Sequence, residues 1–445
     1  MPSRPNDSTT IATSTSISEK PRLVLVRYSP VRLRAKVCGE HVHVNDVTSC
    51  GALGNNRLAG QTCRLALRLD GTIGSMHIST DPDWMAQALS EARSALVLAS
   101  PNPRVGCVIV GVDGRLAGSG YTQRAGGPHA EVMALRDAAL RGHSVEGATV
   151  YVTLEPCSHQ GRTGPCCDAL IKAGVAKVVA AVPDPNPLVS GQGFARLRAA
   201  GVSVEIGPGA TASRELNLGF FSRMVRNTPW VRMKVAASLD GVTALQNGSS
   251  QWITGSPARA DGHAWRARAC AVLTGIGTVL ADDPRLDVRA IETDRQPHLV
   301  VVDSALQTPL DASLFIAGRA LFIYAGAENS EKRRALEERG ATVVVMPDSR
   351  GKVDLVAMMR DLARREINEL HVEAGSKLNG SLLRDGLVDE LLVYLAPKLI
   401  GEGLGLAHMA PLADLSQAYA LEFNSVERVG EDLRILARLR GRDCF

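Results

Sequence analysis

Three residues spread over 37 positions must meet at one point if this chain is to use them together. His129-Ala-Glu131 offers an imidazole, Pro156-Cys157 a thiol and Cys166 a second thiol. Nitrogen and sulfur donors suit Zn2+, and three protein ligands leave the fourth tetrahedral position open for water. Any fold that serves this set must bring the segments around 129, 157 and 166 to within about 4 Å of one another. A structural zinc knuckle, or thiols unrelated to one another, are the plainer readings. The whole set in this order weighs against both.

A catalytic zinc lowers the pKa of its water and makes hydroxide available near neutral pH. Glu131, two residues after the histidine, is read as a non-ligand that shuttles a proton from that water to a departing amine. This is the logic of the His-x-Glu…Pro-Cys-x-x-Cys signature of zinc deaminases. The generic signature has two residues between the cysteines; here there are eight, Cys157-Ser-His-Gln-Gly-Arg-Thr-Gly-Pro-Cys166. That spacing predicts a loop before the second thiol and argues against the nucleic-acid-editing branch. Cys167 stands next to Cys166.

At 445 residues the chain holds more than one core. No apolar run reaches the ~18 residues of a membrane span. Nine irregularly spaced cysteines suit a reducing cytoplasm with a metal site better than a disulfide framework. The net charge is +4, but residues 1–75 hold ten Lys/Arg and five Asp/Glu, which leaves −1 for the rest. A near-neutral body lacks the electrostatic footprint of a nucleic-acid binder. Residues 1–75 are Ser/Thr-rich, acid-poor and then Arg-rich, the composition of a transit peptide. An upstream extension before a start at Met76 is the other reading, and a poorly ordered, non-catalytic segment is expected. Cys38, Cys50, Cys63, His41 and His43 show no recognised ligand spacing.

From Asp81 strands and helices alternate, so an α/β architecture is predicted. A helix follows Asp81 with Met85, Leu89, Ala92 and Leu96 on one face; Ser100–Gly106 is a loop; Cys107–Val110 and Leu116–Ala117 form a hairpin around Asp113-Gly114. His129 opens a helix over Ala130–Leu140, the strand Thr149–Thr153 delivers Cys157, and Cys166–Ala173 is helical. A strand, a helix and a strand follow over 176–206, then a linking helix within 211–229. The predicted organisation is an extension (1–75), a metal-binding domain (76–210), the linker and a second α/β domain (230–445). In the second domain Glu373-Ala-Gly375-Ser-Lys-Leu-Asn-Gly380-Ser381 follows a strand and enters a helix, where small residues let backbone N–H groups approach a phosphate. The turn is not a dinucleotide fingerprint and is weak on its own. Gly401–Gly405 is read as a turn.

Taken together, His129-Ala-Glu131, Thr153-Leu-Glu-Pro-Cys-Ser-His-Gln-Gly-Arg-Thr163, Asp184-Pro-Asn-Pro187, Ala237-Ser-Leu-Asp-Gly241, Gln251-Trp-Ile-Thr254, Thr278-Val-Leu-Ala-Asp-Asp-Pro284 and Val372-Glu-Ala-Gly375 resemble the bifunctional deaminase–reductases of riboflavin biosynthesis. The likeness runs from about residue 82 to about 440 in one order. Gly164 departs from it, standing where the family has a second proline.

The resemblance implies a cytidine-deaminase-like three-layer domain followed by a dihydrofolate-reductase-like α/β domain. It implies one Zn2+, held by His129, Cys157 and Cys166, with Cys167 a buried small residue and Glu131 catalytic. It implies NADPH on Ala236, Trp252, Thr278, Asp282, Ser304 and the turn Gly375, Ser376, Lys377, Leu378, Asn379, Gly380 and Ser381. A pyrimidine ribosyl phosphate would meet Asn102, His159 and Arg162 in the first domain, and Ser250, Arg266, Leu286, Arg289 and Glu373 in the second. The implied reactions are hydrolytic loss of the 2-amino group of 2,5-diamino-6-(5-phosphoribosylamino)pyrimidin-4-one and NADPH-dependent reduction of the ribose to a ribityl chain. A cytoplasmic homo-oligomer without nucleic-acid or membrane partners is expected. A polynucleotide base deaminase with an appended nucleotide-binding domain is the alternative, and the long Cys–Cys loop and neutral body count against it. A non-catalytic paralogue whose reductase half only binds nucleotide is a third reading, disfavoured because all four deaminase positions and the Arg266/Arg289 pair are intact.

Overall fold

The computed structural model describes residues 83–159 and 164–445, together with the backbone of four short strands before them. These are β1 (Arg34–Val37), β2 (Glu40–His43), β3 (Arg64–Leu69) and β4 (Thr72–His77), paired as two antiparallel hairpins where the sequence shows no strand period. The remaining expectations for 1–75, including the cysteine–histidine group there, lie outside the described residues, as does Arg162.

The first sheet follows the strand–helix alternation. Its elements are α1 (Trp84–Ser94), β5 (Gly106–Val110), β6 (Leu116–Tyr121), α2 (Ala130–Leu140), β7 (Thr149–Val152), α3 (Cys166–Lys172), β8 (Lys177–Ala180), α4 (Gln192–Ala199), β9 (Ser203–Ile206) and α5 (Ala210–Arg226). The five strands run in the order β6-β5-β7-β8-β9. β6 and β7 lie antiparallel to β5, and β7, β8 and β9 are parallel. Side chains alternate along β5, so Cys107 and Ile109 pack with α2, α3 and α4, while Val108 and Val110 pack with α1 and α5. The result is three layers, helix–sheet–helix. α2 lies close on β6 because Gly118 and Gly120 leave the space: a Cβ on Gly118 would stand 2.4 Å from Ala134 O. That approach fixes where the N-terminus of α2, and hence His129, can be.

The second sheet has nine strands in the order β15-β14-β13-β12-β16-β10-β17-β20-β19. They are β10 (Trp230–Ser238), β12 (Ala271–Gly275), β13 (His298–Val302), β14 (Leu321–Ala325), β15 (Ala341–Val345), β16 (Glu369–Val372), β17 (Glu390–Ala396), β19 (Leu421–Val429) and β20 (Asp432–Leu439). The strands from β15 to β17 are parallel, and β20 and β19 close the edge antiparallel. One face packs on α9 (Leu355–Arg364) and α10 (Ser376–Arg384), through Met358, Met359, Leu362 and Leu382 against Met233, Leu273 and Leu370. The opposite face carries α6 (Ser256–Arg268), α7 (Ile276–Asp282) and α8 (Ser330–Glu338). β11 (Val242–Leu245) and β18 (Gly403–Gly405) form a small separate ribbon, so the expected turn at Gly401–Gly405 ends in a short strand.

One stripe of the second sheet is polar. Arg232 and Lys234 alternate on β10, Glu369 and His371 on β16 with Glu373 just beyond it, and Glu390 opens β17. Arg232 is 1% exposed and pairs with Glu369 at 3.0 Å and Glu390 at 2.6 Å, while Arg268 meets Glu369 at 3.0 Å and Arg438 meets Glu390 at 3.1 Å. Charges this deeply buried persist only when each is paired and hydrogen-bonded.

Candidate active sites

In the first half, the strand register brings three segments to one end of the sheet. Gly106 opposes Tyr121 and Cys107 opposes Val152, so the loops 100–105, 122–129 and 153–157 emerge together. His129 is the N-cap of α2 in extended conformation (φ −77°, ψ 169°), its imidazole free of any capping bond. Cys166 is the first residue of α3. Its backbone N–H donates to Cys157 Sγ at 3.3 Å.

His129 Nδ1 lies 3.5 Å from Cys157 Sγ and 3.4 Å from Cys166 Sγ, and the three donor atoms all fall within 4.8 Å of one another. Donors ~2.05 and ~2.3 Å from a tetrahedral zinc stand about 3.6 Å apart. The set therefore fits the ion in both chemistry and spacing. Without a metal the interaction with Cys166 holds the Cys157 thiol well below its ordinary range, and the same interaction with burial pushes the Cys166 thiol up, so that Cys166 keeps its proton. A divalent cation replaces that proton when it binds. Cys167 points away, its thiol donating to Pro156 O at 3.1 Å.

Glu131, in the first turn of α2, is 3% exposed and outside the ligand set. Burial first, and then the neighbouring Cys157 sulfur, raise its carboxyl from 4.5 to about 7. Glu155 organises the next loop: its buried carboxylate accepts from the backbone N–H groups of Asp184 (3.0 Å), Gly191 (2.9 Å), Gly193 (2.8 Å) and Phe194 (3.3 Å). That fixes the Asp184 loop, where burial raises the Asp184 carboxyl to about 6 and the Asn186 N–H it accepts at 2.8 Å partly offsets the rise. His159 is exposed, and Asn102 is half-buried in the loop before β5.

In the second half, the carboxyl ends of β10, β12 and β16 open on a cavity of about 990 Å3. Open α/β sheets bind their ligands at such ends. Ala236, Trp252, Thr278, Asp282, Gly375, Ser376, Lys377, Leu378 and Asn379 line it, as do Ser250, Arg266, Leu286, Arg289 and Glu373. Gly375 caps α10 without a side-chain bond, which leaves the first N–H groups of that helix available to a phosphate. The buried Oδ1 of Asn379 has no hydrogen-bond partner, while its Nδ2 donates to Leu406 O at 2.9 Å. These features fit a dinucleotide. Trp252 is 63% exposed and stacks under the Arg259 guanidinium at 4.5 Å, so it is not core.

Three expected cofactor residues are not among those that line the cavity. Ser304 is outside the lining because its hydroxyl accepts from Val353 N at 3.2 Å. Gly380 faces the chain instead of the cavity: a Cβ there would stand 2.0 Å from His408 O. Ser381, one turn into α10, donates to Lys377 O at 3.2 Å.

The two arginines are also not equivalent. Arg266 forks onto Glu373, with Nη2–Oε2 at 2.9 Å, and is largely committed to it. Arg289 pairs with Asp287 at 2.5 Å but is 54% exposed, and so remains open to a ligand. Sequence reasoning missed Lys234. It lines the same cavity 3.9 Å from Glu373, burial lowers its ammonium first, and Glu373 opposes the drop. The signal was a lysine alternating with Arg232 in an otherwise apolar strand.

Comparison with known proteins agrees with this division. Residues 78–182 match the cytidine and deoxycytidylate deaminase zinc-binding region, and residues 229–435 match the RibD C-terminal domain. The riboflavin biosynthesis protein RibD of Escherichia coli (strain K12) is 47% identical over 367 residues, covering 79% of this chain and 98% of that protein. A structure of Acinetobacter baumannii RibD is 40% identical with a TM-score of 0.73, covering 80% of this chain and 98% of that one. A structure from Thermotoga maritima, a diaminohydroxyphosphoribosylaminopyrimidine deaminase/5-amino-6-(5-phosphoribosylamino)uracil reductase, is 32% identical with a TM-score of 0.71, covering 80% and 97%. With a zinc-binding deaminase half and a reductase half in this order, and relatives matched over almost their full length, the chain belongs to the RibD family of riboflavin biosynthesis proteins.

Proposed function

We propose that the two reactions of the family divide between the two halves and that the residues named above carry them. The first half removes the 2-amino group of 2,5-diamino-6-(5-phosphoribosylamino)pyrimidin-4-one by hydrolysis. His129, Cys157 and Cys166 would hold Zn2+, which when bound acidifies water enough to serve as a nucleophile near neutral pH. Glu131 takes the proton of the attacking water and returns it to the departing amine. Burial holds that carboxyl above its ordinary range in the metal-free site, and bound Zn2+ would act in the opposite sense. Asn102 and His159 are assigned to the substrate, together with Arg162.

The second half reduces the ribosyl chain to a ribityl chain. NADPH, when bound, supplies the hydride. The open helix end at Gly375–Lys377 takes a phosphate of the cofactor. Arg289 takes the phosphate of the substrate, and Arg266 chiefly orients Glu373. Ser250 and Leu286 complete the substrate wall.

We assign the domains as 76–210 and 230–445, joined by a linker within 211–229. The protein is proposed to act as a homo-oligomer on a small molecule in the cytoplasm, and not on nucleic acid. Two observations support the subunit contact and the reducing compartment. The edge strand β19 leaves Phe423 72% and Val426 54% exposed, an apolar edge that a second copy would cover. Cys107, Cys167 and Cys270 are free, buried thiols. Among the described residues no helix is long and apolar enough to cross a membrane.

The observation that carries the reading is the convergence of His129, Cys157 and Cys166 with Glu131 buried beside them. The test is incubation of the protein with the diaminopyrimidine phosphate, with and without NADPH, and identification of each product by mass. A gain of about 1 Da without NADPH and a further 2 Da with it is expected from replacing NH2 by OH and adding two hydrogens.

A further inference from the structure

The loop that carries Asn102 belongs to the deaminase half, yet most of its anchors do not. Ser100 Oγ lies 3.3 Å from Cys270 Sγ, and Pro101 O accepts from Asn368 Nδ2 at 2.8 Å. The Arg104 guanidinium donates to Glu369 and, at 3.1 Å, to Arg268 O. Cys270, Asn368, Glu369 and Arg268 all come from the reductase half. Asn368 is itself held by Arg223 at 2.5 Å, from the helix joining the halves. The same helix clasps the Arg104 backbone through Asn217, which accepts from Arg104 N at 2.7 Å and donates to Arg104 O at 3.0 Å. Arg104, Asn217, Asn368 and Glu369 are each no more than 5% exposed. From residues 100–103 to the deaminase half itself, the hydrogen bond is that of Asn102 N to Ala99 O at 2.9 Å.

We infer that the reductase half sets the position of the deaminase substrate loop, with Asn368 and Arg104 as positioning residues for deamination. The register places this loop at the same sheet end as His129 and Cys157. Residues 368 and 369 lie at the amino end of β16, whereas the reductase cavity opens at its carboxyl end, so neither touches the reductase ligands. The second half therefore serves the first reaction through geometry alone. The inference rests on the reading of Asn102 as a substrate contact.

The test uses the full-length chain with Asn102→Ala, Asn368→Ala and Arg104→Lys, the last keeping the charge that faces Glu369. Deamination of the diaminopyrimidine phosphate is measured as separate kcat and KM, alongside zinc per chain and NADPH-dependent reduction of the supplied deaminated intermediate. A buried hydrogen bond contributes about tenfold in an equilibrium constant. Asn368→Ala is expected to raise the deaminase KM by about tenfold, with kcat within threefold, zinc retained and reductase kcat/KM within twofold. Arg104→Lys should show the same split, and it decides the matter if Asn368→Ala does not fold. A raised KM in Asn102→Ala with none in Asn368→Ala and Arg104→Lys overturns the inference and leaves the Asn102 reading standing. An unchanged KM in Asn102→Ala overturns both. Parallel loss in the two activities means a merely structural role and also overturns it.

Discussion

Replacing Glu131 by glutamine keeps the side-chain volume and removes the proton carrier. The carboxyl is 3% exposed, so solvent cannot readily stand in for it. A positioned acid–base group contributes ~10²–10⁴ in rate, equivalent to about 3–5.5 kcal/mol of barrier. Deamination by Glu131→Gln should fall by such a factor in kcat, while reduction of the supplied intermediate stays within twofold of the wild type. Zinc should remain, because the ligand set excludes residue 131. The metal-free protein adds a check whose sign is fixed. Burial raises the carboxyl from 4.5 to about 7 in the folded state. Below pH 4.5 it is protonated both folded and unfolded, and no penalty arises. The penalty grows between pH 4.5 and 7 and is complete above, at about 3 kcal/mol. Metal-free Glu131→Gln should therefore be more stable than metal-free wild type at pH 8 by up to that amount, and equal to it at pH 4. The assays are product mass, metal analysis and urea unfolding at the two pH values. A fall in deamination below tenfold, or loss of zinc, would refute the role given to Glu131.

Three further outcomes are expected. Arg289→Ala should raise the reductase KM for the ribosyl substrate by tenfold or more and leave NADPH affinity, read by fluorescence titration, nearly unchanged; equal loss of both would remove Arg289 from the substrate phosphate. Gly380→Ala drives a methyl into His408 O, 2.0 Å away, and should cost about 3 kcal/mol, near the upper end for overpacking, seen as a lower thermal midpoint. Phe423→Asp should shift the sedimentation coefficient towards that of a monomer without altering deaminase turnover; an unchanged coefficient would place the subunit contact elsewhere.

Local chemistry made the deaminase half legible. His129 at the start of a helix, Cys157 after a strand and Cys166 at the next helix are positions that period and motif specify together, and α2 and the β5–β6 hairpin follow the expected ranges. What was not legible depends on partners distant in the chain. α7 starts at Gly275-Ile-Gly-Thr, where two glycines argue against a helix until packing on the sheet overrides them. β11 is four residues long, and its partner is the three-residue Gly403–Gly405. Gly380 read as a phosphate-turn glycine, but its constraint is the backbone 28 positions later. Lys234 and Glu373 become neighbours only through the register of β10 with β16. Arg266, expected at the substrate, also pairs with Glu373, a partner that nothing local in the sequence shows.

The most direct test of the whole account is the zinc itself. X-ray absorption at the zinc edge, with metal content measured on the same active sample, should give one ion per chain bound by one imidazole nitrogen, two sulfurs and one lighter atom. Active enzyme without bound metal, or an ion with no sulfur in its shell, would contradict the site on which the assignment of Glu131 and of the deaminase half depends.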